Sequence, residues 1–384
     1  MAHGLRKAFA LLGVLLFLLL SSCGAGRREV VNFAVEQAQL GFTRGDFQRA
    51  IDIYEGAYQK YPKDSVLLAN YIKTLEQIKK HGEKADASED FALAGSTYEI
   101  LVRNYPQFAD FAYSLSFDAG FLEMKIKTSR NLLIERETQP YLKKGDFQTA
   151  IDVYQGAYQQ YPHESMLRDN YVQNLEAIKE NADQAFARKD FALAGKIYEI
   201  LWRNYPHFID LGPSLSFNDK FLEGRMQTSR KLLAEREAHQ HLKVGDFQKT
   251  IEIYKEIFQQ NSKDSKVRRN YSKALEIIKK KADQAFKRKD FASAGRVYEL
   301  LWRNYSHFTD VNPSLSWGME FLNNRIQSCE TFLYEKALDQ YRSGNLWDAT
   351  TIWKSILEFD PENAEIKKAV DTATIQLRNL RKIK

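Results

Sequence analysis

Apolar side chains along most of this chain recur in steps of three and four, without the every-second-residue alternation that marks a strand. After Gly45 come Phe47, Ala50, Tyr54, Ala57 and Pro62. The same offsets from Gly145 hold Phe147, Ala150, Tyr154, Ala157 and Pro162, and from Gly344 they hold Leu346, Ala349, Trp353, Ile356 and Pro361. A further copy keeps Phe247 and Tyr254 but carries Thr250 and Ser262 in place of the small residue and the proline. Steps of three and four hold residues on one face of an α-helix, so each run predicts an amphipathic helix. The glycine and the short polar residue beside it turn the chain between helices, and the proline closes the second helix.

These runs are copies. Gly45-Asp46-Phe47-Gln48 returns at Gly145 and Gly245, 100 residues apart each time, and weakens to Gly344-Asn345-Leu346-Trp347. A second landmark, Asp90-Phe91-Ala92, returns at Asp190 and Asp290 and leads into Phe91, Ala94, Tyr98, Leu101 and Pro106 or their equivalents. Small residues recur on the preceding helix at Ala38, Ala238 and Ala337, and at Gly82, Ala182 and Ala282. Small positions facing large ones let two helices approach to about 8–10 Å. The pattern predicts an all-α protein of three units of roughly 100 residues, 33–130, 131–230 and 231–329, with a terminal hairpin and cap over 330–384.

The arrangement resembles the tetratricopeptide repeat, a pair of antiparallel helices of about 34 residues. Seven such hairpins fit, near residues 31–64, 75–108, 131–164, 175–208, 231–264, 275–308 and 330–363. Their starts alternate between 44 and roughly 56 residues apart. The shorter insertions, such as Ser65 to Thr74, read as extensions of the next helix. The longer ones, such as Ala109 to Arg130, read as a loop and then a helix. Ser216 followed by Asp219 has the logic of a capping box for that helix. Asn363 to Arg381 is polar and lysine-rich, as the open end of a repeat stack requires. The resemblance implies an α-solenoid with a long groove, roughly 60 Å or more for seven hairpins at about 9–10 Å each. It also implies a groove lined by the first helix of each hairpin. In this sequence that places Glu176, Lys179, Asp183 and Phe186 on the lining, with Glu276, Lys279, Asp283 and Phe286 as counterparts. The first unit offers Glu76, Lys79 and Glu83. Lys179 and Asp183 also have the spacing of an ordinary i,i+4 ion pair.

The N-terminal segment changes the picture of compartment. Arg6 and Lys7 precede an apolar run from Ala8 to Leu20, whose 13 residues fall short of the roughly 20 that cross a bilayer core. Small residues follow, in the manner of a secretory signal. Leu20-Ser21-Ser22-Cys23 resembles the lipobox of bacterial lipoproteins, in which the cysteine is diacylated and residues 1–22 are removed. That likeness implies lipid on Cys23, a short linker over 23–32 and the repeat stack over 33–384. Gly24 occupies the place where an aspartate would signal inner-membrane retention. The expectation is therefore a lipid-anchored protein of the cell envelope, held at the outer membrane and facing the periplasm.

Charge and chemistry add exclusions. Removing Arg6 and Lys7 from 56 basic side chains leaves 54 against 50 acidic ones, a net +4. The longest basic run, Lys279 to Lys281, lies between Glu276 and Asp283, so no concentrated basic face for nucleic acid is read. Cys329 is the one cysteine besides Cys23, and with Cys23 lipidated no internal disulfide forms. His163-Glu164-Ser165-Met166-Leu167 lacks the second histidine of a zinc-protease helix. Gly212 to Ser216 begins like a nucleophile elbow without its final glycine. Gly195-Lys196 lacks the upstream glycine of a phosphate loop. His239 and His241 point to different sides of a helix. The expectation is no enzyme, no cofactor and no metal site. The leading function is a scaffold binding another envelope protein or peptide. The alternative is a lipoprotein that binds a small ligand and works with a transporter, in a closed apolar pocket near Trp202 and Trp302.

Overall fold

The computed structural model describes residues 26–308 and 311–383. The signal segment and the lipidation expected at Cys23 lie outside the described residues. Within them the chain forms fifteen α-helices and no strand. They run as α1 (Arg27–Thr43), α2 (Phe47–Lys60), α3 (Ser65–Ala87), α4 (Phe91–Asn104), α5 (Ala119–Lys144), α6 (Phe147–Gln160), α7 (Ser165–Ala187), α8 (Phe191–Asn204), α9 (Asp219–Val244), α10 (Phe247–Gln260), α11 (Ser265–Lys287), α12 (Phe291–Arg303), α13 (Met319–Arg342), α14 (Leu346–Leu357) and α15 (Ala364–Ile383). Short 3-10 segments follow α4 and α8, over Tyr105–Ser114 and Tyr205–Ser214, and two more follow α12. The described helices group into two compact units, one over residues up to Asn181 together with Glu199–Leu222, the other over Ala182–Tyr198 together with the residues from Glu223 on.

The insertions take the forms expected of them. Ser65 to Thr74 lengthens α3, and Ala109 to Arg130 runs through a 3-10 turn into α5. The first helix, Arg27–Thr43, buries Val30 and Val31. One local detail differs. The cap of α9 is Asn218, whose Oδ1 accepts the Phe221 N–H at 2.9 Å. Ser216 is occupied elsewhere, as described below.

Helix ends are set by local chemistry. Gly45, Gly145, Gly245 and Gly344 all sit at positive φ, between 75° and 86°, where glycine meets no Cβ clash. Asp46, Asp146 and Asp246 then cap the next helix by accepting the N–H three residues on. The second landmark makes the same turn with a side chain in the strained place: Glu89, Lys189 and Lys289 adopt φ of 60°, 63° and 63°.

Each hairpin packs small against large. Ala38, Ala182, Ala238, Ala282 and Ala337 are fully buried, and a Cβ on Gly82 would lie 2.9 Å from the Tyr98 ring. Many of the aromatic residues serve this packing. Tyr54 stacks on Tyr71 at 5.1 Å, Tyr154 on Tyr171 at 5.5 Å and Tyr254 on Tyr271 at 5.5 Å. Phe108, Phe208 and Phe308, from the 3-10 segments, meet the second tyrosine of each pair edge-on. The segments between hairpins are thereby anchored in the core.

Candidate binding surface

The side chains expected on a groove form a half-buried stripe along α3, α7 and α11, and each copy of the stripe is engaged by side chains of the same repeat. Glu76 accepts the Ser116 N–H at 2.5 Å and its hydroxyl at 2.6 Å. Glu176 accepts the same two groups of Ser216, and Glu276 those of Ser316 at 2.6 and 2.9 Å. Hydrogen bonds to a carboxylate are stronger than neutral ones, so this pair fixes the chain entering α5, α9 and α13. The repeated Ser-Leu-Ser segments thus have a structural task.

One turn along, Lys79, Lys179 and Lys279 place their ammonium groups 5.4, 5.6 and 4.9 Å from the ring centres of Phe121, Phe221 and Phe321. Lys279 also pairs with Asp283 at 2.9 Å, and Lys79 with Glu83 at 3.2 Å. Asp283 accepts the buried Tyr298 hydroxyl at 2.6 Å, and Asp183 accepts that of Tyr198. Burial first, and then the facing carboxylate, push these tyrosine pKa values far up.

Phe186 and Phe286 complete the stripe. Each meets the aromatic that opens the next helix, Phe191 at 5.4 Å and Phe291 at 5.2 Å. Each is also covered by a guanidinium, Arg225 at 5.0 Å and Arg325 at 4.7 Å. The first copy has Asp86 and Lys125 in these two places, and they form an ion pair at 3.0 Å. A cation–π contact in two copies replaces a salt bridge in the other.

A second set of repeated contacts escaped the sequence reading. Arg27 pairs with Asp64, Arg130 with Glu164 and Lys231 with Asp264, each joining the first helix of one hairpin to the residue opening the next long helix. The corresponding pair near the C-terminus is Glu330 with Asn363. The signal that could have found them is a charged position recurring about every hundred residues, with opposite charge or an amide about 34 residues on.

The tryptophans of the alternative reading lie at the surface, Trp202 39% and Trp302 40% exposed. A depression of about 520 Å3 opens instead beside α11, lined by Ser265, Arg268, Arg269, Ser272, Lys273, Glu276, Ile277 and Ser314. Cys329 is fully buried, and burial pushes its thiol up to about 12. His241 Nδ1 lies 3.1 Å from Asp246. Among the described residues no cluster of histidine, cysteine and carboxylate side chains could hold a metal ion, and no helix is long and apolar enough to cross a membrane.

No protein-family model matches the sequence, and no curated protein matches it. Among solved structures the chain is similar to a circular tandem repeat protein of novel repeat topology, at 16% identity and a TM-score of 0.19, covering 99% of this chain and 96% of that one. It is similar to the TPR domain of P58(IPK), at 14% identity and a TM-score of 0.22, over 92% of this chain and 99% of that one. Yeast Tom70 aligns at 10% identity and a TM-score of 0.13, over 92% and 97%.

Proposed function

We propose that the chain is a non-catalytic scaffold that binds another protein in the bacterial cell envelope, held at the outer membrane by lipid on Cys23. The observation that carries the binding role is the open, charged depression beside α11, in a molecule whose acidic and aromatic repeat residues are otherwise engaged in holding hairpins together. An open recess with charged walls suits a segment of another chain, whereas a carrier of small apolar molecules needs an enclosed one. The repeated carboxylates support the non-catalytic part of the reading. Each accepts hydrogen bonds from a serine or a tyrosine and so acts as a fixed brace.

The anchor rests on the four residues Leu20 to Cys23 and the apolar run before them. Acyl chains contribute about 0.8 kcal/mol per buried methylene, so two or more chains hold a protein stably on a membrane. The test is affinity capture from detergent-solubilised envelopes with the native chain and a Cys23→Ala control. A protein partner held in fixed ratio through size-exclusion chromatography, with membrane association lost in the control, is the expected result. A capture free of protein but carrying a small molecule would sink the scaffold. Unchanged membrane association of Cys23→Ala would sink the anchor.

A further inference from the structure

The three long helices α3, α7 and α11 occupy equivalent places in the repeat, yet their charges diverge. Over Ser65–Ala87 four lysines face three acidic residues, and over Ser165–Ala187 two basic residues face four acidic ones. Over Ser265–Lys287 eight basic residues face two acidic ones. The stacked tyrosines and the braces stay constant through this change: Tyr71, Tyr171 and Tyr271, the three stripe glutamates, and Ser116, Ser216 and Ser316. Of the eight basic residues of α11, Arg268, Arg269 and Lys273 line the recess.

The recess itself has a local cause. In the first copy Leu68 and Ile72 pack half-buried against the core. In the second, Val172 takes the place of Ile72, and Arg168 Nη2 reaches across to donate to Ser214 Oγ at 3.3 Å. In the third, Ser272 turns its hydroxyl back to the Arg268 carbonyl at 3.0 Å, and Arg268 Nη2 lies 3.5 Å from the Ser262 carbonyl. Neither side chain bridges to Ser314, and the space between α11 and the 3-10 turn stays open. Arg269 and Lys273 stand exposed on its wall, and Ile277, 42% exposed, gives it an apolar patch where the other copies have Gln77 and Ala177.

We infer that this recess is the docking groove for an acidic segment of a partner protein, with carboxylates meeting Arg268, Arg269 and Lys273 and one apolar residue seated on Ile277. The inference rests on the scaffold reading and gives its partner a chemistry. Charge complementarity selects an acidic occupant, and the exposed Ile277 beside the cations suits a peptide that carries both carboxylates and an apolar side chain. Pairing at this exposed rim is screened over about 8 Å at physiological ionic strength, so the interaction is salt-sensitive.

The test uses the full mature chain and a fluorescein-labelled peptide of glutamates flanking one leucine, read by anisotropy. The variant Arg269→Asp with Ser272→Val and Lys273→Gln installs the residues that the second copy already carries at Asp169, Val172 and Gln173, and circular dichroism confirms that it folds. The expected result is binding that weakens with salt, is lost with the glutamine-for-glutamate peptide, and falls about tenfold or more in the variant. Equal binding by the variant, or by the glutamine peptide, overturns the groove. So does variant-sensitive binding to phosphatidylglycerol vesicles without peptide binding, which would make the face a membrane contact. Capture of the envelope partner by the variant at wild-type yield also overturns the groove and leaves the scaffold standing. Failure of the wild-type chain to capture any protein bears on the scaffold itself.

Discussion

Two sets of buried tyrosines predict opposite outcomes for one chemical change. Tyr71, Tyr171 and Tyr271 are each 0% exposed, and their hydroxyls have no hydrogen-bond partner. Tyr98, Tyr198 and Tyr298 are equally buried, but each hydroxyl donates to a carboxylate, at 3.1 Å for Asp86 and 2.6 Å for Asp283. Burying a hydroxyl without a partner costs about 1–3 kcal/mol by the measure of protein substitutions. Removing it by Tyr271→Phe leaves the ring stacked on Tyr254 and is expected to stabilise by about 1 kcal/mol. Tyr298→Phe loses a hydrogen bond to a charged acceptor and is expected to destabilise by about 2 kcal/mol. Sites with no shared partners add, so the triple variant at 71, 171 and 271 gains about 3 kcal/mol and the triple at 98, 198 and 298 loses about 6. Urea unfolding, followed by circular dichroism and by tyrosine fluorescence, measures both. The two probes also report whether the units unfold together, which repeat proteins need not do. If both triples destabilise alike, the hydroxyls at 71, 171 and 271 have a partner, and the reasoning from burial fails.

Three further outcomes are expected. Lys189→Gly and Lys289→Gly each relieve a side chain at φ 63° and should raise stability by roughly 0.5–1 kcal/mol in the same unfolding assay; a loss would mean the turn is not strained. Glu176→Ala frees the Ser216 N–H and hydroxyl and should cost about 1–2 kcal/mol, with faster hydrogen exchange at that amide; unchanged exchange would show that the brace does not hold the turn. Asp264 is held below the ordinary carboxylate range, first by the Lys231 hydrogen bond and then by the Lys266 N–H. Its folded pKa is the lower one, so its contribution is complete above the unfolded value near 4 and is lost as pH falls through the folded one. Asp264→Asn should therefore flatten the acid limb of the stability–pH curve, and a parallel limb would count against the pairing.

Much of the fold was legible because it depends on neighbours in sequence. Glycines at positive φ, aspartates capping the next helix and apolar steps of three and four all act within one or two turns, so their pattern survives in the bare sequence. The extension of α3 by Ser65 to Thr74 followed from the same periodicity. Where the reading of α9's start failed, two local candidates competed. Ser216 had the right spacing, but Glu176, 40 residues earlier, takes its hydroxyl and leaves the cap to Asn218.

The stripe shows the limit most clearly. The resemblance to the tetratricopeptide repeat implied a groove lining of Glu176, Lys179, Asp183 and Phe186, and in the structure these four are half-buried along α7. What that face meets depends on how the following helix folds back. Phe221 and Arg225 come to Lys179 and Phe186 from about 40 residues away. The same slot accepts Asp86 with Lys125 in one copy and an aromatic with arginine in others, so no single residue pattern marks it. The recess beside α11 is equally a product of tertiary packing. Its basic residues can be read in the sequence, but only the turn of Arg268 away from Ser314, and the small Ser272 beside it, turns a charged helix into a concave wall. The sequence by itself determined the helices, the glycine turns between them and their repetition, because those are set by chemistry within a few residues. Tertiary structure decided which charged faces were consumed as braces and which were left open, because that depends on side chains meeting across 30 to 60 residues of intervening chain.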